Sequence, residues 1–488
     1  MSKSKDYVEI NIDFKKIFNI EKLDFEKFLP WIVVITALII NIVYFSVNTG
    51  VWWDEAEYLG FVNHLLSGNA YSMWEGRAIF YPLVLSIFGF INSSESFLRF
   101  GLLVISCLTG LFSFLVLKKL FNKEVGFVAS MLFVTNGLFN FFSIRFLTGI
   151  PSLLFTLVGL FFFLKQPNLK NRLLTGSFIG FAIATRFTAI FIVPAMIIYD
   201  FLDKKKLIDY LWVPALFIGF VPSMIFDMTR GLSPLNTLST FFVQSTAERD
   251  WGHNLGQWYY YLFNSPNIIG YLSIIFLIVG LVLVFSRLGN KKFQKELLLI
   301  GVYIVLHFIS YSFMTELKET RYMLPILPFV FSIVGMGIIS VSKLVSGFFK
   351  KNKKIISQVS SLIILLVISF YSLNLGNLMI FNSNTSYEEL GFAGTLLNNY
   401  ISPNDVIMTN AGPFVSYYTG KEVVGFPATM DDLYSEFDNN TNLNSIIISL
   451  YETTPSYLND FVNNTRFSLL SAYTRNDYTI VIVLGYNR

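Results

Sequence analysis

Eleven apolar runs divide the first 380 residues of this chain, near 30–47, 98–117, 125–143, 150–164, 174–185, 188–202, 208–226, 267–285, 297–314, 323–342 and 355–379. A helix that crosses a bilayer needs roughly 17–25 apolar residues. Several of these runs sit at or below the short end, notably the pair interrupted by Arg186. Composition agrees. Charged residues make up 14% of the chain and hydrophobic residues 54%, with 52 Phe, where a soluble domain carries about 25% charge. The expectation is a polytopic α-helical membrane protein of about 11 spans. A further apolar run, Ile79 to Ile91, is brief and contains Pro82, so it is read as a helix lying in the interface. The first run lacks a small-residue cleavage signal and is expected to stay as an anchor.

Lysine clusters set the expected orientation. Lys118-Lys119, Lys204-Lys205-Lys206, Lys291-Lys292, Lys350-Lys351 and Lys353-Lys354 all fall on one side when the N-terminus is placed in the cytoplasm, and basic loops stay inside. The remaining classes narrow quickly. A net charge of +4 gives no footprint for nucleic acid. Cys107 is the single cysteine and lies in an apolar run, so no intrachain disulfide and no cysteine metal site is expected. His64, His253 and His307 are far apart in the chain. The sequence specifies no metal ligand set and no cofactor, and leaves a divalent metal requirement open.

After about residue 380 the chain turns rich in Asn, Thr, Tyr and Asp. β-type runs at 406–408, 445–449 and 479–483 alternate with helix-like stretches at 387–400 and 455–463, the pattern of a small α/β domain. Sequons at Asn384, Asn439 and Asn463 fit an extracytoplasmic location. The expected organisation is therefore a cytoplasmic N-terminal segment at 1–29, a transmembrane domain at 30–379 with its first outer loop at 48–97, and an extracytoplasmic α/β domain at 380–488.

The outer boundary holds the chemistry. Trp52-Trp53-Asp54-Glu55-Ala56-Glu57-Tyr58 follows the first run and places three carboxylates where lipid headgroups begin. Carboxylates there are costly unless they meet water or a cation. On a helix Asp54 and Glu57 share a face and Glu55 points elsewhere. An acidic turn that merely caps an interfacial helix is the plain alternative. Glu75, Arg77, Arg145, Glu248, Arg249, Asp250, Lys318, Glu319 and Arg321 fall on the same side. If their segment is helical, Lys318 and Arg321 would converge on one phosphate, although cations at a helix end also snorkel without any ligand.

The order of these features resembles the GT-C membrane glycosyltransferases, specifically the protein O-mannosyltransferase and aminoarabinose transferase group that uses polyprenyl-phosphate sugars. The pieces are Asp54-Glu55 after the first span, Leu65-Leu66-Ser67-Gly68-Asn69, Arg77-Ala78-Ile79-Phe80-Tyr81-Pro82-Leu83, Leu98-Arg99-Phe100, Lys118-Lys119-Leu120-Phe121, Ser143-Ile144-Arg145-Phe146-Leu147-Thr148 and Arg321-Tyr322-Met323-Leu324-Pro325. They cover roughly residues 30–330. One position departs. The family commonly has an acidic residue after the Thr of the second outer loop, and this chain reads Thr148-Gly149-Ile150. Either Asp54 works with another partner, such as Glu57 or Glu75, or activity is altered or lost.

The resemblance implies an inverting hexosyl- or pentosyltransferase that moves a sugar from a polyprenyl-phosphate donor to a protein, glycan or lipid acceptor on the extracytoplasmic face. Asp54 would be the general base and Glu55 its supporting carboxylate. Glu57, Glu75, Arg77, Arg145, Lys318, Arg321 and Tyr322 would contact substrate, the cations meeting the leaving phosphate. Two other classes stay open. A transporter or flippase of lipid-linked sugars would explain the spans, but calls for midplane polar groups and repeat symmetry, and apart from Arg186 the spans offer few charges. An inactive relative in a surface-glycan complex is kept open by Gly149.

Overall fold

The structure, a computed structural model, describes residues 27–45, 47, 50–203, 206–246, 256–287, 291–313, 317–383, 387–458 and 465–487. Most of the expected 1–29 segment lies outside these residues, as do Asn384, Asn463, Glu248, Arg249 and Asp250. The chain begins with α1 (Leu29–Phe45), α2 (Trp53–Ser67), α3 (Phe80–Gly89), α4 (Glu95–Leu120), α5 (Lys123–Val134), α6 (Gly137–Ser143), α7 (Gly149–Phe163), α8 (Leu169–Thr185) and α9 (Ile192–Leu202). It continues through α10 (Ile208–Thr229), a run of 3-10 and α turns, to α11 (Asn236–Thr246), α12 (Tyr271–Arg287), α13 (Lys291–Phe313), α14 (Leu327–Gly347) and α15 (Lys353–Ser383). Every expected apolar run falls largely on helix, the one at 267–285 being broken at Gly270 (φ 86°). Among the described residues, five helical segments are long and apolar enough to cross a membrane, or six if α5 and α6 form one bent span. The other apolar helices have 10–17 residues.

The faces of α1 show why these helices need lipid. Val33, Ala37 and Tyr44 are buried against the bundle, while Trp31, Ile35, Ile39 and Ile42 are exposed. Leaving such side chains in water forfeits roughly 1.5–3 kcal/mol each; a bilayer removes that cost.

One expected span is corrected. The run at 125–143 is two helices, α5 and α6, bent by 60°. The break is built by Asn136, whose Oδ1 accepts the Phe139 N–H at 3.1 Å and whose Nδ2 donates to the Ile268 carbonyl at 2.9 Å. Gly137 then crosses α15 at backbone contact, where an added Cβ would come within 2.6 Å of the Gly376 nitrogen. Small residues permit such crossings between membrane helices. The bend delivers the end of α6 to the segment before α7, which carries Arg145.

The tail is an α/β unit: α16 (Glu388–Leu397), β1 (Val406–Thr409), α17 (Gly412–Thr419), β2 (Val423–Val424), α18 (Met430–Asn439), β3 (Leu443–Ser449), β4 (Phe467–Arg475) and β5 (Tyr478–Tyr486). Strand order is β2-β1-β3-β5-β4. β1 runs parallel to β2 and β3, and β5 antiparallel to β3 and β4. The three expected β runs lie in β1, β3 and β5. Of the expected helix at 455–463, the described part is one 3-10 turn at 456–458, just after Pro455.

Two apolar cores position the site. The membrane helices share one. In the second, Ala56, Leu59, Val62, Leu85, Leu98 and Phe146 pack with Leu390, Ile407, Phe414, Val415, Val481 and Val483 of the tail. The tail therefore sits on α2 itself: Trp53 meets Phe414 edge-on at 5.8 Å, and the Ala70 N–H donates to the Gly420 carbonyl at 3.2 Å.

Candidate active site

The site is organised by the first turn of α2. Trp52 is extended, with φ −90° and ψ 167°, and Glu55 bends back so that its Oε2 accepts the Trp52 N–H at 2.7 Å. That contact satisfies one of the donors a helix start leaves open. Carboxylates at this end also meet the positive end of the helix dipole.

Glu55 continues into a closed clamp. Its Oε1 accepts the Phe146 N–H at 2.7 Å, and Arg145 pairs with Oε2 at 2.8 Å. Arg145 also donates to the Gly50 carbonyl at 2.9 Å and lies 3.9 Å over the Trp52 ring. Side-chain exposure is 2% for Glu55 and 0% for Arg145. The pair joins the segment before α2 to the segment between α6 and α7 and is sealed from solvent. Burial pushes the Glu55 carboxyl up, with Arg145 opposing.

Asp54, one residue earlier, is only partly covered. Its Oδ1 pairs with Arg77 at 3.0 Å and its Oδ2 with Arg321 at 3.2 Å, and a quarter of the side chain stays exposed. Arg77 also pairs with Glu57, whose Oε1 accepts the Trp74 N–H at 3.2 Å, and it stands 5.6 Å from the centres of the Tyr58 and Trp74 rings. Arg321 is shared with Glu319. Burial alone would raise Asp54, but the Arg77 and Arg321 guanidinium groups outweigh it and bring the carboxyl down to about 2. Burial raises Glu57, against the pull of Arg77.

Arg321 opens a 3-10 turn, Thr320–Ile326, that leads into α14. Tyr322 stacks on Tyr311 at 4.8 Å, and the His307 Nε2–H donates to the Tyr322 carbonyl at 2.7 Å. Beside them stands Arg186, placed by an extended residue between α8 and the 3-10 turn that precedes α9 (φ −152°, ψ 110°). It donates to the Tyr311 hydroxyl at 3.1 Å and to Thr188 at 3.3 Å, and lies 5.1 Å over Tyr322. Its charge also reaches Asp54.

Of the residues expected from the sequence, Asp54, Glu57, Arg77, Arg321 and Tyr322 come together. Glu55 and Arg145 pair with each other beneath them. Glu75 pairs instead with Arg230 at 3.2 Å, at an exposed position. The expected convergence of Lys318 and Arg321 is corrected. Residues 318–319 are not helical, so the two side chains diverge. Lys318 Nζ donates to the Tyr311 and Ser312 carbonyls at 2.7 and 2.9 Å, closing the end of α13. Arg186 was visible as a charge interrupting an apolar run, yet sequence reasoning did not assign it here; a helix break beside a lone arginine was the available signal. Gly149 starts α7 and faces the Arg321 turn, with an added Cβ falling 3.4 Å from Leu324. Among the described residues no group of three His, Cys, Asp or Glu forms a metal-holding cluster.

A bent helical bundle with a carboxylate between guanidinium groups at one rim, and a small sheet domain docked over it, defines a class: the chain is a multi-pass membrane protein with the GT-C glycosyltransferase fold. The family described as dolichyl-phosphate-mannose-protein mannosyltransferase matches residues 77–226. Among solved structures, ArnT from Cupriavidus metallidurans in the apo state aligns at 13% identity and TM-score 0.67, over 93% of this chain and 97% of that one. The same protein bound to undecaprenyl phosphate aligns at 12% identity and TM-score 0.65, with the same coverage. The oligosaccharyltransferase AglB from Archaeoglobus fulgidus, in complex with an inhibitory peptide and a dolichol-phosphate, aligns at 13% identity and TM-score 0.61, over 88% of this chain and 70% of that one. No curated protein sequence matches the chain.

Proposed function

We propose that this protein transfers a hexosyl or pentosyl group from a polyprenyl-phosphate donor to an acceptor hydroxyl on the extracytoplasmic face, with inversion. The observation that carries this reading is Asp54 held between Arg77 and Arg321 with a quarter of its side chain exposed. The solved neighbours bound to undecaprenyl phosphate and dolichol-phosphate support a lipid-linked donor for this chain as well. The acceptor hydroxyl gives its proton to Asp54 as its oxygen attacks the anomeric carbon. The anomeric bond to the phosphate oxygen breaks, and the lipid phosphate leaves with the electron pair. Fixed cations stabilise the charge that develops there, and Arg77 and Arg321, the two guanidinium groups beside Asp54, would supply them, with Arg186 behind.

The low proton affinity of Asp54 gives the arrangement an order of events. While both guanidinium groups rest on Asp54, it is a poor base. A donor phosphate that draws Arg77 and Arg321 toward itself relieves this hold, so the base strengthens once donor is bound. Glu55 and Arg145 act as positioning residues that fix the first turn of α2. Glu57 orients Arg77. The lysine clusters support a cytoplasmic N-terminus, with the tail and Asp54 outside.

Two measurements test the reading. A deletion strain should accumulate one polyprenyl-phosphate sugar while its surface glycans or glycoproteins lose the matching residue; unchanged lipid-linked sugars would refute it. Asn439, exposed at the end of α18, should react as Asn439→Cys with an impermeant thiol reagent on intact cells. Protection until lysis would reverse the orientation.

A further inference from the structure

At the opposite end of the bundle α5, α14 and α15 leave a groove of about 690 Å³. Lys123, Lys343, Lys353 and Lys354 line it, with Phe127 and Leu365 among the apolar side chains. Glu124 is the one carboxylate in the lining, so the groove carries a net charge of three positives. Among the described residues no ion pair joins Lys343, Lys353 or Lys354 to a carboxylate. Two helices also begin here, α5 at Lys123 and α15 at Lys353, and each adds the positive end of its dipole.

The position follows from helix lengths. α4 starts beside the candidate active site, where Arg99 donates to the Ile144 carbonyl at 2.9 Å. It has 26 residues, so its far end lies about 39 Å away at 1.5 Å per residue. That end leads through Asn122 into Lys123. α14 likewise begins at the Arg321 turn and ends at Gly347, near the groove. The groove is thus at the far membrane boundary from Asp54.

We infer that this groove binds one anionic phospholipid of the leaflet opposite the active site, its phosphodiester among the four lysines and its acyl chains against Phe127 and Leu365. Retention of positive charge in cytoplasmic loops explains basic residues near this boundary. It does not explain four lysines and two helix starts arranged around a groove with an apolar floor. Basic pockets between helices at this boundary suit lipid headgroups. A polyprenyl-phosphate donor used at Asp54 would present its phosphate at the other boundary, so this occupant is a membrane phospholipid.

The test is native mass spectrometry of the full chain released from nanodiscs of phosphatidylglycerol or of phosphatidylcholine. The wild type should retain one phosphatidylglycerol and no phosphatidylcholine. Lys343→Gln/Lys353→Gln/Lys354→Gln should bind phosphatidylglycerol about 100-fold more weakly, each juxtamembrane lysine contributing about one comparable step. Lys350→Gln/Lys351→Gln removes neighbouring charge outside the groove and should retain the lipid. If the triple variant does not fold, Ser357→Glu, which adds a negative charge to the groove lining and removes no lysine, should expel the lipid instead. Unchanged retention in the folded groove variants would overturn the inference, as would equal loss in the Lys350/Lys351 variant. Full displacement by soluble glycerol phosphate would assign the groove to a free phosphate ester and overturn it too.

Discussion

Asp54 and Glu55 are consecutive residues on one helix turn, and they live in different solvents. Successive positions on a helix point about 100° apart, so one carboxylate stays partly exposed and the other enters the interior. Glu55 spends both oxygens on backbone N–H groups and a buried arginine. Nothing is left for a ligand. Asp54 is held by two guanidinium groups, with a quarter of its surface open. Its partners are cations that a phosphate can claim. A closed set of contacts makes a joint between loops, and an exchangeable set suits the proposed base. The residue type is almost the same in both.

The largest expected effect separates the two roles directly. Asp54→Asn keeps the shape and removes the base, so the transfer rate should fall on the order of 10²–10⁴-fold, while the stability lost with its two ion pairs is limited because Arg77 and Arg321 keep Glu57 and Glu319 as partners. A wild-type rate in purified, lipid-reconstituted protein would remove Asp54 from the mechanism. Arg145→Ala should do the reverse. It leaves Glu55 buried without its cation, which costs about 3–5 kcal/mol when one partner of a buried pair is removed. The readout is a lowered melting temperature and less folded protein in the membrane, with the surviving fraction still turning over. A stable Arg145→Ala protein that binds donor but cannot transfer would place the pair in the chemistry.

A smaller effect comes from pH. Asp54 is depressed to about 2 from its ordinary value of 3.8, so its pairing contributes stability above the ordinary carboxylate range, lost as pH falls toward about 2. Removing Arg321 takes away one of the two charges that hold it down. Arg321→Ala should therefore move Asp54 upward, shift the acidic limb of the kcat/KM profile to higher pH, and weaken use of the lipid donor. A profile that keeps its acidic limb in place would mean that Asp54 does not set it.

How much of this was legible in the sequence depends on the range of the interaction. Apolar periodicity is local, so the expected runs fell largely on helix, with the break at Gly270 unforeseen. β1, β3 and β5 were visible as apolar β-branched runs. β4 was missed because most of its positions are exposed or half-buried, and β2 because two residues make no pattern. The break at Asn136 was hidden because a capping asparagine inside an apolar run looks like a tolerated polar residue. At the site, Asp54, Arg77 and Arg321 could be named from motif order, and the 54–57 spacing put Glu57 beside Asp54. Their partners could not be read. Whether Arg145 faces a ligand or Glu55 depends on the bend between α5 and α6, which sets where the segment between α6 and α7 meets α2. The separation of Lys318 from Arg321 depends on a local backbone that the helical spacing argument assumed wrongly.

Gly149 supplies the last and smallest prediction. Position 149 faces the Arg321 turn, and an added Cβ would lie 3.4 Å from Leu324 Cδ1, so a side chain enters with only slight adjustment. A carboxylate there would stand where the resembling family commonly carries one. It would add a negative charge at the start of α7, which the helix dipole favours by about 0.3–1 kcal/mol. If its effect on the chemistry is to share Arg321, Asp54 would be held less tightly and would be a better base. Gly149→Asp is then expected to raise the transfer rate a few-fold in lipid-reconstituted protein without lowering the melting temperature, and to lose that gain in the Asp54→Asn background. A rate that falls while folding is intact would mean that this cleft already has its full set of carboxylates in Asp54, Glu57 and Glu319, and that Gly149 is the native fit for the Arg321 turn.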